Sequence, residues 1–138
     1  MVPDPDRPEH PRSPEDPGRP EAAREPPSQQ QVRDEIAREI LRIYEESYGT
    51  GAARAETLVS EGWVIVVLDG LRLLPSEQLL VENGKQDTVM QVRSQYEHAI
   101  RSTFSAAIER ATGRTVIGFA SATSIEEPRF MAEVFRLE

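Results

Sequence analysis

The sequence predicts an α+β fold, a two-layer sandwich in which a four-stranded, largely antiparallel sheet carries helices on one face. The order of the patterns supports this fold, because they read helix, strand, strand, short helix, long helix, strand, strand. Runs of this kind are typical of α+β proteins. A second observation is the run Trp63–Leu68, which is apolar at every position. A strand of this kind is covered on both faces. One face would lie under the helices, and the other would meet another surface.

Composition divides the chain near residue 27. Residues 1–27 hold nine of the eleven prolines, whereas residues 28–138 are about 43 % apolar, close to an ordinary globular domain. We therefore predict a disordered, proline-rich acidic tail over 1–27 and a single domain over 28–138. Six prolines recur every third residue, the period of polyproline II: Pro5, Pro8, Pro11, Pro14, Pro17 and Pro20. The tail is interpreted as a stiff, solvated spacer, with a ligand for an aromatic groove as the alternative.

The first helix is predicted over residues 29–48. Ser28 and Gln31 match a capping box, and Gly49 suits the left-handed position after a helix end. The apolar residues between them recur at helical spacing: Val32, Ile36, Ile40, Ile43 and Tyr44.

Two strands and a short helix come next. The strands are predicted over Ala52–Ser60 and Trp63–Leu68, joined by a turn at Glu61-Gly62, and Asp69-Gly70 ends the second strand. Pro75 suits the first turn of a short helix, which Asn83-Gly84 closes.

A long helix is predicted from Asp87 to Thr112, followed by a hairpin. Arg93 and Glu97 are assigned to its solvated faces. Alternating residues predict the hairpin strands Thr115–Thr123 and Phe130–Leu137. The apolar stripe of the helix consists of Val89, Val92, Tyr96, Ile100, Phe104, Ala107, Ile108 and Ala111.

Charge and composition exclude several functional classes. The chain has no cysteine and a net charge of −8, and the domain alone carries −5. An acidic domain lacks the basic surface that nucleic acids require, so we expect no nucleic-acid partner. No apolar run approaches the ~20 residues of a membrane span, and the acidic N-terminus is unlike a secretion signal. We expect a cytoplasmic protein without cofactor or metal.

Motifs of catalysis are weak, and no catalytic residue is predicted. A hydrolase that uses His98 with Ser94 or Ser102, each one helical turn away, is kept as an alternative. Residues that could hold a small ligand or an anion are Tyr44, Tyr48, Gly49, Gly51, Arg54 and Arg93. Residues predicted to form an interface on the second face of the sheet are Trp63, Ile65 and Val67. A homodimer would bury that face most simply.

Several segments stand in an order that resembles the bacterial MpsC-like family. The resemblance covers residues 33–138 and rests on Ile43–Gly51, Ala53–Ala55, Val64–Gly70, Pro75–Glu77, Thr112–Val116 and Ala132–Leu137. The chain departs from the family pattern at Ala52, where proline is usual, and at Leu74, where threonine is frequent. The second departure removes a capping hydroxyl.

The resemblance implies a small protein without established catalytic residues. The family takes its name from a component of a Na⁺-translocating, membrane-potential-generating system. The resemblance therefore implies an accessory or regulatory subunit near a cation-translocating or inorganic-carbon-uptake membrane complex. Such a subunit would lie at the inner face of the membrane.

Overall fold

The computed structural model describes residues 27–138, and the predicted proline-rich tail lies outside the described residues apart from Pro27. The elements follow the predicted order, and the sheet is antiparallel throughout, with the strand order β1-β2-β4-β3. The predicted α+β fold is therefore confirmed. The elements are α1 (Gln29–Tyr48), β1 (Ala52–Ser60), β2 (Trp63–Leu71), α2 (Pro75–Glu82), α3 (Gln86–Thr112), β3 (Val116–Ser124) and β4 (Phe130–Leu137).

Both ends of α1 form as the sequence predicts. Ser28 Oγ accepts from Gln31 N–H at 3.1 Å, and Gln31 Oε1 accepts from Ser28 N–H at 2.7 Å. At the other end Gly49 has φ +75° and donates its N–H to Glu45 O. A side chain at this left-handed position would be strained, which explains the glycine.

The sheet has one face under the helices and one face outside them. Alternate residues of β2 and β4 point into the core, where they meet the apolar sides of α1 and α3. Core residues with at most 4 % exposure include Ile36, Ile40, Tyr44, Val64, Val66, Leu68, Phe104, Ile108, Met131, Phe135 and Leu137. The other face carries no layer from residues 27–138. None of the helices in this part of the chain is long and apolar enough to cross a bilayer.

Strand β2 runs three residues past its predicted end. Gly70 has φ +67°, and the N–H groups of Gly70 and Leu71 both donate to Arg129 O, at 3.0 and 3.2 Å. A β-bulge is the arrangement in which two residues of one strand lie opposite a single residue of the neighbouring strand. The bulge changes the direction of the strand's side chains, so Leu71 turns into the core and is 4 % exposed.

The buried side of α3 differs from the predicted apolar stripe. Val92 and Tyr96 are 44 % and 48 % exposed, whereas Arg93 and Glu97 are 1 % and 6 % exposed. The prediction was wrong at these four positions because it placed only apolar residues on the buried side of the helix. Polar residues can also be buried when they have hydrogen-bond partners inside the core.

Candidate functional site

Three of the predicted ligand residues meet beside the C-terminal end of α1. Tyr44 and Tyr48 lie one turn apart on that helix, with ring centroids 4.6 Å apart. Arg93 reaches them from the core side of α3, and its guanidinium carbon lies 5.1 Å from the centroid of the Tyr48 ring. The structure thus brings these three residues together, and their role in binding a ligand stays a prediction.

The partner of Arg93 is a residue that sequence reasoning missed as a site residue. Its Nε and Nη2 donate to the two carboxylate oxygens of Glu77 on α2, at 2.6 and 2.9 Å. Nη1 donates to the Tyr44 hydroxyl. A two-pronged arginine–carboxylate pair is among the strongest hydrogen-bonded contacts in proteins. Most of the donors of Arg93 are therefore occupied by the protein itself.

Glu77 has two tasks in this cluster. Its Oε1 also accepts the N–H of Leu74 at 2.9 Å, so the carboxylate caps α2 from the third position although Leu74 has no hydroxyl. Burial alone would raise the pKa of Glu77, but the hydrogen bonds from Arg93 and from Leu74 N–H hold it below its usual value. Pro75 followed by Glu77 was the sequence signal for this role.

The two tyrosine hydroxyls remain neutral in this environment. Burial raises the pKa of both Tyr44 and Tyr48, and the nearby positive charge of Arg93 opposes the rise. Tyr48 donates its hydroxyl to Arg93 O at 3.0 Å, while Tyr44 accepts from the guanidinium. The hydroxyls hold Arg93 in place instead of acting as bases.

A cavity of about 210 Å³ lies above this cluster, between α2 and α3. Tyr48 and Tyr96 form one wall, with ring centroids 5.3 Å apart. Its lining is mostly apolar and consists of Tyr48, Leu74, Ser76, Glu77, Leu80, Val89, Val92, Arg93 and Tyr96. The geometry suits a small, largely apolar group with a polar end toward Ser76 or the Glu77–Arg93 pair.

The remaining predicted ligand residues do not line this cavity. Gly49 ends α1, and Gly51 O accepts from Arg72 N–H at 2.9 Å in the loop that precedes β1. Arg54 lies on the outer side of β1, where Nη2 donates to Asp69 Oδ2. The structure therefore separates Arg54 from the two tyrosines and from Arg93.

The predicted interface residues Trp63, Ile65 and Val67 share the outer side of β2. Trp63 is 43 % exposed, and the guanidinium carbon of Arg136 lies 4.7 Å from the centroid of its ring. We use the term open face for the outward residues of the four strands, whose apolar members are Leu58, Trp63, Ile65, Val67, Ala120, Ala122, Phe130, Ala132 and Val134.

Two buried carboxyl groups lie on the other side of the sheet. Glu133 of β4 is wholly buried and accepts from Ser121 Oγ at 3.0 Å. Glu97 of α3 accepts from Thr123 Oγ1 at 2.7 Å. Burial, and then the charge of Glu97, raise the pKa of Glu133 to about 8. Glu133 stands between Met131 and Phe135 in the core-facing alternation of β4, which was the signal that could have revealed it.

His98, the residue of the alternative hydrolase prediction, is exposed to solvent on α3. No hydrogen bond joins it to Ser94 or Ser102, which are also exposed. Within residues 27–138 no three His, Cys, Asp or Glu side chains come together as metal ligands would.

Comparison with known proteins gives one match. A family model described as "Na+-translocating membrane potential-generating system (MpsC)" matches residues 28–138, nearly the whole described chain. No curated protein and no solved structure matches the sequence. On the strength of a family match that extends from the cap of α1 to the end of β4, the chain belongs to the MpsC family.

Proposed function

We propose that this protein is a non-catalytic accessory or regulatory subunit that acts by protein contact and that pairs with a second copy of itself through its open face. The observation that carries the proposal is the apolar character of that face. Leu58, Trp63 and Phe130 are 51 %, 43 % and 39 % exposed on three neighbouring strands. Large contiguous apolar patches on a domain surface mark sites of association.

A second copy of the chain is the occupant that fits this face best. Strands of eight or nine residues at ~3.4 Å rise and ~4.8 Å spacing give a flat area of roughly 500 Å². The solvent-accessible area of the open face is larger than this flat area because its side chains project from the sheet. It therefore approaches the ~600 Å² that each partner buries in the smallest stable interfaces. A two-fold contact buries the same patch on both chains at once.

Charged side chains also lie on the open face, namely Arg54 and Glu56 of β1, Asp69 of β2 and Arg136 of β4. Arg54 on edge strand β1 is paired with Asp69 of the same chain, and Arg136 lies over the ring of Trp63. Arg54 keeps its carboxylate partner when the apolar centre is covered, whereas a two-fold contact has to leave Glu56 and Arg136 in water at its rim. Unpaired buried charges are what most strongly oppose association.

Family membership supports a place beside a membrane complex. The matched family is described by a Na⁺-translocating membrane potential-generating system. We propose that the chain serves as a cytoplasmic subunit at the inner face of the membrane, next to a cation-translocating or inorganic-carbon-uptake complex. In this arrangement the domain contributes contacts and the membrane subunits contribute transport.

Replacing Ile65 by arginine should convert a dimer into a monomer. The substitution places an unpaired charge at the centre of the open face, while Ile65 contributes little to the core behind it. Sedimentation equilibrium of both chains at the same concentration checks the result. Leu79→Arg is the matched control, because Leu79 is 62 % exposed on α2, away from the sheet. A wild-type monomer at millimolar concentration would contradict the homodimer.

A second candidate function is that of a small-ligand or anion sensor. The observation that favours it is the cavity between α2 and α3, where Tyr48 and Arg93 meet. Because Glu77 already neutralises Arg93, a small molecule with an apolar body and one polar end fits this cavity better than a free anion.

Ligand binding at this cavity should raise the melting temperature. A ligand at a hundred times its Kd adds ~2.7 kcal/mol to the free energy of unfolding. A thermal-shift screen with bicarbonate, phosphate, nucleotides and small aromatic acids measures this. Val92→Trp, which fills the cavity, should abolish the shift, and Met90→Trp on the exposed side of α3 should keep it. The sensor function fails if no compound shifts the midpoint, or if the shift survives in Val92→Trp.

A further inference from the structure

We propose that Glu133 and Glu97 form a buried proton-binding site between α3 and the sheet, which takes one proton from solvent and returns it when the pair ionises. The site is separate from the open face and from the cavity between α2 and α3. It therefore goes beyond the proposed function and does not depend on it.

The first argument is the position of the two carboxyl groups. Glu133 lies in the middle of β4, with Val66 of β2 and Ser121 of β3 as its cross-strand neighbours. Ser121 Oγ donates to Glu133, and Thr123 Oγ1 donates to Glu97. Ser121 and Thr123 are two residues apart on one side of β3, a separation of ~7 Å. Two carboxyl groups held by these neighbouring hydroxyls lie close enough in the core for the charge of Glu97 to act on Glu133.

The second argument is an unmet hydrogen bond. Oε2 of Glu133 is buried and has no partner within residues 27–138. A buried ionised oxygen without a partner is strongly disfavoured. A proton on Glu133 removes this charge, and the negative charge of Glu97 favours the protonated form further.

The third argument is the charge of the surroundings. Arg93 is the one buried basic side chain among the described residues, and both of its prongs are held by Glu77. Facing groups on the other elements are neutral: Tyr44 and Tyr48 on α1, Val66 on β2, and Ser121 and Thr123 on β3. No cation is left to balance two ionised carboxylates, so the pair retains one proton. The raised pKa of Glu133, about 8, agrees with this arrangement.

Proton binding at this site would couple pH to the packing of α3 on the sheet. The pKa of Glu133 is about 8 in the folded chain and near 4.5 when unfolded. The folded chain therefore holds one more proton between these pH values. The stability from this proton is present below pH 4.5 and is lost as pH rises toward 8. The unfolding equilibrium constant should increase about tenfold per pH unit within this window.

Carboxyl-carbon NMR of the full chain, labelled at glutamate Cδ, tests the proposal directly. One glutamate signal should titrate near pH 8 and be absent in Glu133→Gln. Glu97→Gln should lower the midpoint of that signal, because it removes the neighbouring negative charge. Glu35→Gln, an exposed change of equal charge on α1, should leave the midpoint where it was. The proposal is wrong if every glutamate of the folded chain titrates below pH 6, or if Glu97→Gln does not move the midpoint.

Denaturation at several pH values gives a second readout. The free energy of unfolding of the wild type and of Glu35→Gln should change with pH at the same slope. Between pH 5 and 8 the slope of Glu133→Gln should be smaller, by the amount that corresponds to the release of one proton on unfolding. Equal slopes in all three chains would overturn the proposal. If Glu133→Gln does not fold, Ser121→Ala replaces it. That change removes the hydrogen bond that favours the ionised form, so the midpoint should rise; an unchanged or lower midpoint contradicts the site.

Discussion

Replacing Arg93 by methionine should lower the free energy of unfolding by about 3–5 kcal/mol. Methionine keeps much of the volume but removes both hydrogen bonds to Glu77 and the one to Tyr44. The Glu77 carboxylate then remains in the core without its counter-charge, which costs more than the pair itself contributed. Urea denaturation at pH 7 measures the loss.

A double substitution separates the charge from the packing. Arg93→Met with Glu77→Leu replaces both partners by apolar groups, so it should recover part of the stability that the single change loses. The recovery is incomplete because Glu77 also accepts the N–H of Leu74 at the start of α2. Arg101→Met is the matched control, because Arg101 is exposed on the same helix. A single-variant loss below ~1 kcal/mol would show that the pair is not the structural link described above. The same conclusion would follow if the double variant were no more stable than Arg93→Met alone.

The same pair has a defined pH dependence. The folded pKa of Glu77 is depressed by Arg93, so its contribution to stability is present above the ordinary carboxyl pKa. It is lost as pH falls through the folded value. This direction is opposite to that of Glu133, whose contribution disappears as pH rises.

Replacing Phe135 by alanine should cost about 3–5 kcal/mol of unfolding free energy. Phe135 is 0 % exposed, and its ring packs 5.3 Å from that of Phe119 across β3 and β4. Its removal leaves a cavity that the surrounding core side chains close only in part. Denaturation monitored by circular dichroism checks the loss.

Phe130 is the control on the same strand. It faces the other side of the sheet and is 39 % exposed, so Phe130→Ala should cost ~1 kcal/mol or less. If the open face is an interface, Phe130→Ala should instead weaken self-association, which sedimentation measures on the same sample. Equal losses of stability in the two variants would contradict the assignment of core and open face.

Local signals predicted the elements well. The bounds of α1 follow from Ser28, Gln31 and Gly49, and the bounds of β1 and β4 agree with the predicted ones. These features depend on residues close in sequence, such as a capping hydroxyl or an alternating strand. The end of β2 was missed, because the bulge at Gly70 depends on Arg129 O, fifty-nine positions later.

The candidate site was only partly predictable. Tyr44, Tyr48 and Arg93 were predicted to line one site and do lie together, although Arg93 was also assigned to the solvated side of α3. Arg54 was included because it is close to them in sequence. The structure places Arg54 on the outer side of the sheet, since alternate residues of a strand point in opposite directions. Glu77 and Glu133 were not predicted as site residues, because the sequence does not show whether a glutamate is buried or exposed.

The sequence by itself determined the order of the elements and the family to which the chain belongs. Caps, periodicity and composition are local, so they can be read without knowing what packs where. Only the tertiary structure decided which polar side chains enter the core and which apolar ones remain outside. Burial of Arg93, Glu97 and Glu133 depends on partners from other elements. A charged or polar group is stable in a core only where those partners meet it.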